Sequence, residues 1–239
     1  MKPYPCLLSV LLLFGAAALP SHATVYFQNE GDNKTWPNYP QDPEAKGTIG
    51  DVTSPLYKDS TSIEFTQTFE KNYTGRYHSE VDVQDIQENN QDRYYGEAVY
   101  VDSNWQNADD QVNFQQWAGS GPWILMRIDG SDILLVGPMG EPHLQAMPHG
   151  AWTRVVTRIY SHGSTGIFTV WINGTQKYTK TNSNFQAPGS TNGAIRWSTG
   201  CYVSGWYQQS SPQGPSERIT YGDHYRVADS QSEADPANW

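Results

Sequence analysis

Arg76, His78, Glu80 and Asp82 occupy alternate positions of one β-rich stretch, Arg76-Tyr77-His78-Ser79-Glu80-Val81-Asp82. Side chains alternate along an extended chain, so these four ionisable groups share one face. Tyr77, Ser79, Val81 and Val83 share the other. A file of this kind is either a charged outer face with compensating signs or the floor of a polar groove. Two chemistries suit such a groove. A pair of carboxylates about 5–5.5 Å apart hydrolyses a glycosidic bond with retention, and Glu80, Asp82, Asp85 and Glu88 supply carboxylates here. A uronic-acid polymer can instead be cut without water, by β-elimination. Its C6 carboxylate must be neutralised by amide, His or Arg donors so that the C5 proton becomes acidic. A Tyr or His then removes that proton, and a Tyr can return one to the leaving O4. Neither a nucleophile nor a metal is needed.

The elements that hold these residues read as strands. Ser62 to Phe69 places Ile63, Phe65 and Phe69 on one face, with Gln67 the one polar interruption. Further β-rich runs lie at 25–28, 75–83, 93–101, 111–118, 123–128 and 133–136, then at 152–160, 167–172, 176–179, 194–202 and 217–227. Gly, Pro, Asn and Asp clusters separate them, and no long helix intervenes. Gly137 to Gly150, with three Pro and two His, reads as a long lid-like loop. The tail from Ala228 to Trp239 reads as peripheral. The pattern predicts an all-β protein, an antiparallel β-sandwich.

Composition narrows the partners. Met1 to Ala23 has one basic residue, an apolar run from Cys6 to Leu19 and a small-residue exit, the marks of a secretory signal peptide cut after Ala23. That leaves 24–239 as a single domain of about 216 residues, expected to be secreted, extracellular and monomeric. Three sequons, at Asn33, Asn72 and Asn173, agree with an extracellular glycoprotein. Cys201 alone remains after cleavage, so no intrachain disulfide forms. A formal charge of −10 argues against nucleic acid or an anionic membrane surface as partner. Nine Trp and 15 Tyr suit carbohydrate, because sugar rings stack on aromatic faces.

Several segments together resemble the secreted polysaccharide lyases of β-jelly-roll fold, related to the alginate and heparin lyases. These are Arg93 to Val101 followed by Trp105, Phe114-Gln115-Gln116-Trp117, Gly150-Ala151-Trp152, Val170-Trp171-Ile172-Asn173-Gly174 and Gly200-Cys201-Tyr202. Within that group the chain is most similar to the glucuronan lyases of polysaccharide lyase family 20, fungal secreted endo-enzymes. The resemblance implies a β-jelly roll that cleaves β-1,4-linked polyglucuronate, an acidic polysaccharide. It makes Tyr202 the catalytic tyrosine, with Gln116 and His78 neutralising the carboxylate. Gln115 remains a rival to Gln116, because alternation groups it with Asn113 and Trp117 on the more polar face. Tyr225 remains a rival to Tyr202. Arg76, Arg127 and Trp117 are the expected substrate contacts. Where the alginate lyases have a further His and a Lys, this chain has Ala118 and Ser198. Those departures argue against alginate and heparin and fit a less charged polymer. The resemblance also implies a structural calcium ion, for which Glu30, Asp32 and Asp223 are candidate oxygen ligands.

Two other readings stand beside this one. The string from Glu80 to Asp85 resembles the Glu-x-Asp-x-x-Glu motif of glycoside hydrolase family 16, with Asp85 where that motif has Glu; a hydrolase would use Glu80 and Asp85. A lectin of the same fold would keep the aromatics and the groove without the Tyr/His/Gln set.

Overall fold

The computed structural model describes residues 23–36, 47–119, 121–187 and 195–239. The leader-like stretch up to residue 22 lies outside them. The described strands are β1 (Val25–Asn29), β2 (Thr48–Val52), β3 (Ser62–Thr68), β4 (His78–Gln87), β5 (Asp92–Val101), β6 (Ala108–Ala118) and β7 (Pro122–Gly130). They continue as β8 (Asp132–Val136), β9 (His143–Ala146), β10 (Ala151–Tyr160), β11 (Gly166–Ile172), β12 (Thr175–Ser183), β13 (Ile195–Val203) and β14 (Glu217–Ala228). One sheet has eight strands, in the order β12-β11-β10-β5-β14-β3-β2, with β1 also paired to β14. The other has six, β4-β13-β6-β7-β8-β9. Among the described residues every strand pairing is antiparallel. The fold is the antiparallel β-sandwich that the sequence pattern predicts, and the β-jelly roll that the resemblance implies.

Alternation explains most of the packing. In β4 and the residue before it, the side chains of Tyr77, Ser79, Val81 and Val83 are buried between the sheets. On β13, Trp197, Thr199, Cys201 and Val203 do the same, which leaves Ser198, Gly200 and Tyr202 on the outer face. β14 breaks its register at Asp223–His224, with His224 at φ +50°. Its first half pairs with β3 and its second half with β1.

The core beneath the six-stranded sheet is aromatic. Tyr95 meets Trp117 and Trp197 edge-on, at 5.4 Å between centroids in each case, and Tyr225 meets Trp197 at 6.3 Å. Ionisable groups sit inside as well. Arg218 and Asp110, both buried, form a two-pronged ion pair at 2.6 and 2.8 Å. Glu97, 1% exposed, accepts a hydrogen bond from the Thr199 hydroxyl.

Two expectations are corrected. The stretch 137–150 is not one long loop: β9 within it pairs with β8, where Ile133 stands against Gln145. The tail is not peripheral. After β14, a short helix α1 (Gln231–Ala234) packs on β14, β5 and β10 and buries Ala234 against Val156 and Ala228. Gly96 is what admits it, because a Cβ there would lie 1.7 Å from the Ala234 carbonyl oxygen. Among the described residues no helix is long and apolar enough to cross a membrane.

Candidate active site

The outer face of the six-stranded sheet carries a cleft of about 250 Å³ over β4, β13 and β6. Arg76, His78, Asn113, Gln116, Arg196 and Tyr202 are among the residues that line it, with Leu125 and Pro122 on one side. The register sets these side chains next to each other. Tyr202 on β13 stands opposite His78 on β4 and opposite Asn113 on β6, and Asn113 stands opposite Arg127 on β7.

The contacts are specific. The His78 and Tyr202 rings stack, with centroids 3.9 Å apart and planes inclined by 25°. His78 Nδ1 is 2.8 Å from Glu80 Oε2. The Gln116 amide nitrogen lies 2.9 Å from both oxygens of Glu80. An N–H shared equally between two acceptors leaves the second amide hydrogen of Gln116 for another partner. Glu80 is 2% exposed and Gln116 3%. A carboxylate so buried must be paired, and His78 and Gln116 pair it. The file on β4 is therefore the floor of a groove and not a solvated face.

Positive charge gathers here in a chain whose net charge is −10. Arg76 and Arg196 line the cleft, and Arg196 Nη1 approaches Asp82 Oδ2 at 3.9 Å. Arg127 is half-buried, which lowers its pKa; the negative charges of Asp129, Glu141 and ionised Tyr202 act the other way. Arg127 and the Tyr202 hydroxyl are thus within electrostatic reach of each other. A cleft with this lining can hold an anionic sugar, neutralise its carboxylate and move a proton at the tyrosine.

A protein-family model described as polysaccharide lyase matches residues 28–226. The chain belongs to the polysaccharide lyase family. Among solved structures, it is similar to an endo-β-1,4-glucuronan lyase from the fungus Trichoderma reesei, with 23% identity, a TM-score of 0.79, and coverage of 90% of this chain and 100% of that one. It is also similar to the cellulose induced protein Cip1, with 13% identity, a TM-score of 0.59, and coverage of 83% and 93%. At these identities the likeness is one of fold. No curated protein matches the sequence.

In this lyase the structure separates the sequence-derived candidates. Tyr202, His78, Gln116 and Arg76 line one cleft, and Arg127 stands beside it. Gln115 points inward, toward Glu97. The register shift between Asn113 and Gln115 against β7 turns Phe114 and Gln115 inward in succession. Asn113 and Gln116, three apart, consequently both reach the cleft. Tyr225 is fully buried between Trp36 and Trp197, and burial pushes its hydroxyl well above the ordinary tyrosine range. It has no path to a polymer. Trp117 was an expected sugar contact, and that is corrected: it has 0% exposure and packs on Tyr95. The hydrolase pair does not assemble either. Asp85, exposed at φ +52°, is absent from the cleft lining, and Glu80 is committed to His78 and Gln116.

Of the expected calcium ligands, Glu30 and Asp32 line one surface pocket with Gln28, Asn29 and Thr35, and Asp223 lies beside Gly31. Among the described residues no three His, Cys, Asp or Glu side chains converge as a metal site. Asp223 accepts from the backbone N–H groups of His224 and Tyr57, Asp32 from that of Lys34, and Glu30 from the Gln28 amide. Sequence reasoning missed Asn113 and Arg196. Alternation grouped Asn113 with Gln115, and Arg196 has no motif around it.

Proposed function

We propose that this lyase cleaves β-1,4-linked polyglucuronate by β-elimination, with Tyr202 as the proton-transfer residue. The observation that carries the reading is the stack of Tyr202 on His78, flanked by Gln116 and by three arginines near one cleft. The substrate carboxylate meets the free N–H of Gln116, the His78 ring and Arg76. This neutralisation makes H5 acidic. Tyr202, close to Arg127, acts as the base and takes H5; the C5–H electron pair passes into the neutralised carboxylate as an enolate. The enolate then collapses to the C4=C5 double bond as the C4–O4 bond breaks, and the Tyr202 proton passes to O4. The products are an unsaturated uronide and a chain ending in a free 4-hydroxyl. The fold shared with a glucuronan lyase, and Ala118 and Ser198 where alginate lyases carry His and Lys, support polyglucuronate over the other uronans.

Incubation of the purified protein with glucuronan should raise the ultraviolet absorbance of unsaturated uronides. New reducing ends without that absorbance would point to hydrolysis by another set of residues. We also read the chain as a secreted, extracellular monomer. The leader-like residues 1–23 support secretion, and N-terminal sequencing of the exported protein should begin at Thr24.

A further inference from the structure

Glu80 lies at the centre of the cleft floor and touches two of the reacting side chains at once. We propose that Glu80 is a positioning residue that fixes the ring of His78 and the amide of Gln116 for the substrate carboxylate. The inference rests on the reading of Tyr202, His78 and Gln116 as the reacting set.

The geometry has three parts. First, Glu80 and Gln116 are on β4 and β6, which are not neighbours; β13 runs between them. Two strand spacings amount to about 10 Å, so the side chains can meet only by lying over β13. Second, the β13 residue directly opposite Glu80 is Gly200. It has φ +145°, and a Cβ there would lie 2.2 Å from the Ser79 carbonyl oxygen and 2.9 Å from Glu80 Cα. The same Cβ would lie 2.9 Å from Cδ1 of the core residue Phe65, so glycine at 200 lets β13 lie close against β4 at Glu80. Third, both oxygens of that carboxylate are used, with His78 Nδ1 at 2.8 Å and Gln116 Nε2 at 2.9 Å.

The consequences follow from hydrogen-bond roles. A carboxylate only accepts, so His78 must donate through Nδ1–H, and Nε2 is the nitrogen left for substrate. The His78 Nε2 atom has no protein partner. The same carboxylate forces the Gln116 amide to present its nitrogen inward, with its second N–H free. An amide at position 80 keeps the shape but offers one acceptor and a competing donor, which admits the other imidazole tautomer and the flipped Gln116 amide.

The test is Glu80→Gln, with Glu80→Asp as a shortened carboxylate. Gly200→Ala is not used, because its Cβ clashes with backbone whatever Glu80 does. For Glu80→Gln, kcat on glucuronan should fall by about 10²-fold or more while KM changes by less than about threefold, as expected when a tautomer-setting carboxylate is lost. Thermal unfolding checks that the variant is folded. In a His78→Ala/Gln116→Leu background the same substitution should change kcat by less than about threefold, because Glu80 then has nothing to position. Nitrogen-15 NMR of the imidazole should show the Nδ1–H tautomer for neutral His78 in the wild type and a mixture in Glu80→Gln. A folded Glu80→Gln with near wild-type kcat, an equal loss in both backgrounds, or an Nε2–H tautomer in the wild type would each overturn the proposal. If the wild type leaves glucuronan intact, the proposed reaction fails, and the tautomer measurement still decides the role of Glu80.

Discussion

Raising the pH should unfold this lyase through one buried carboxyl. Glu97 sits between the sheets at 1% exposure, and burial pushes its pKa from the ordinary 4.5 to about 8, against the lowering effect of the Thr199 hydrogen bond and the nearby Gln115 amide. The folded protein then holds a proton that the unfolded chain has released across that interval. Because stability changes with pH as the difference in bound protons, it falls as pH rises from about 4.5 and levels off above about 8. The gap from 4.5 to about 8, at about 1.36 kcal/mol for each pH unit, comes to about 5 kcal/mol. Much of a domain's net stability is of that size. The neighbouring Tyr225 hydroxyl, itself held neutral by burial, gives the ionised carboxylate no countercharge. The assay is urea unfolding of the wild type and Glu97→Gln from pH 4 to pH 9. The glutamine cannot ionise, so the variant's stability relative to wild type should improve by about 5 kcal/mol across the range. Parallel curves would refute the reasoning and mean that the Glu97 carboxyl does not hold its proton in the fold.

Other substitutions separate site from core. Tyr202→Phe should lower kcat on glucuronan by at least about 10²-fold with no change in melting temperature, whereas Tyr225→Phe should keep kcat. Gln116→Leu should abolish most activity; Gln115→Leu should keep it, and steady-state kinetics of the two variants settles which amide serves the cleft. Trp117→Ala should cost about 3–5 kcal/mol of stability, read by urea unfolding, because Trp117 fills the core instead of binding sugar. Asp110→Asn should be similarly costly, about 3–5 kcal/mol, because it strands the buried Arg218 charge.

Local periodicity made the frame of the fold legible. The alternation in 75–83 identified which face of β4 is buried, and turn clusters located the long strands. β2 and β9 escaped because each is short and only half-buried, so neither shows a two-residue hydrophobic period. The site was legible where motif order carried it: Tyr202, His78 and Gln116 do share a cleft. It was misread where the sheet departs from strict alternation. The shift at Phe114–Gln115 reverses the faces of β6, which made Trp117 look like a groove residue and hid Asn113. Glu97 gave no signal, because a glutamate in a strand looks the same whether it faces water or a core. The partnership of Glu80 with Gln116 joins two strands far apart in sequence, with β13 between them.

The most direct measurement of the central claim is a single incubation of the wild type and Tyr202→Phe with glucuronan, followed by both ultraviolet absorbance and reducing-end formation. The account predicts that absorbance and reducing ends rise together in the wild type and that both are lost in Tyr202→Phe. Reducing ends without absorbance, or a Tyr202→Phe protein as active as the wild type, would contradict it.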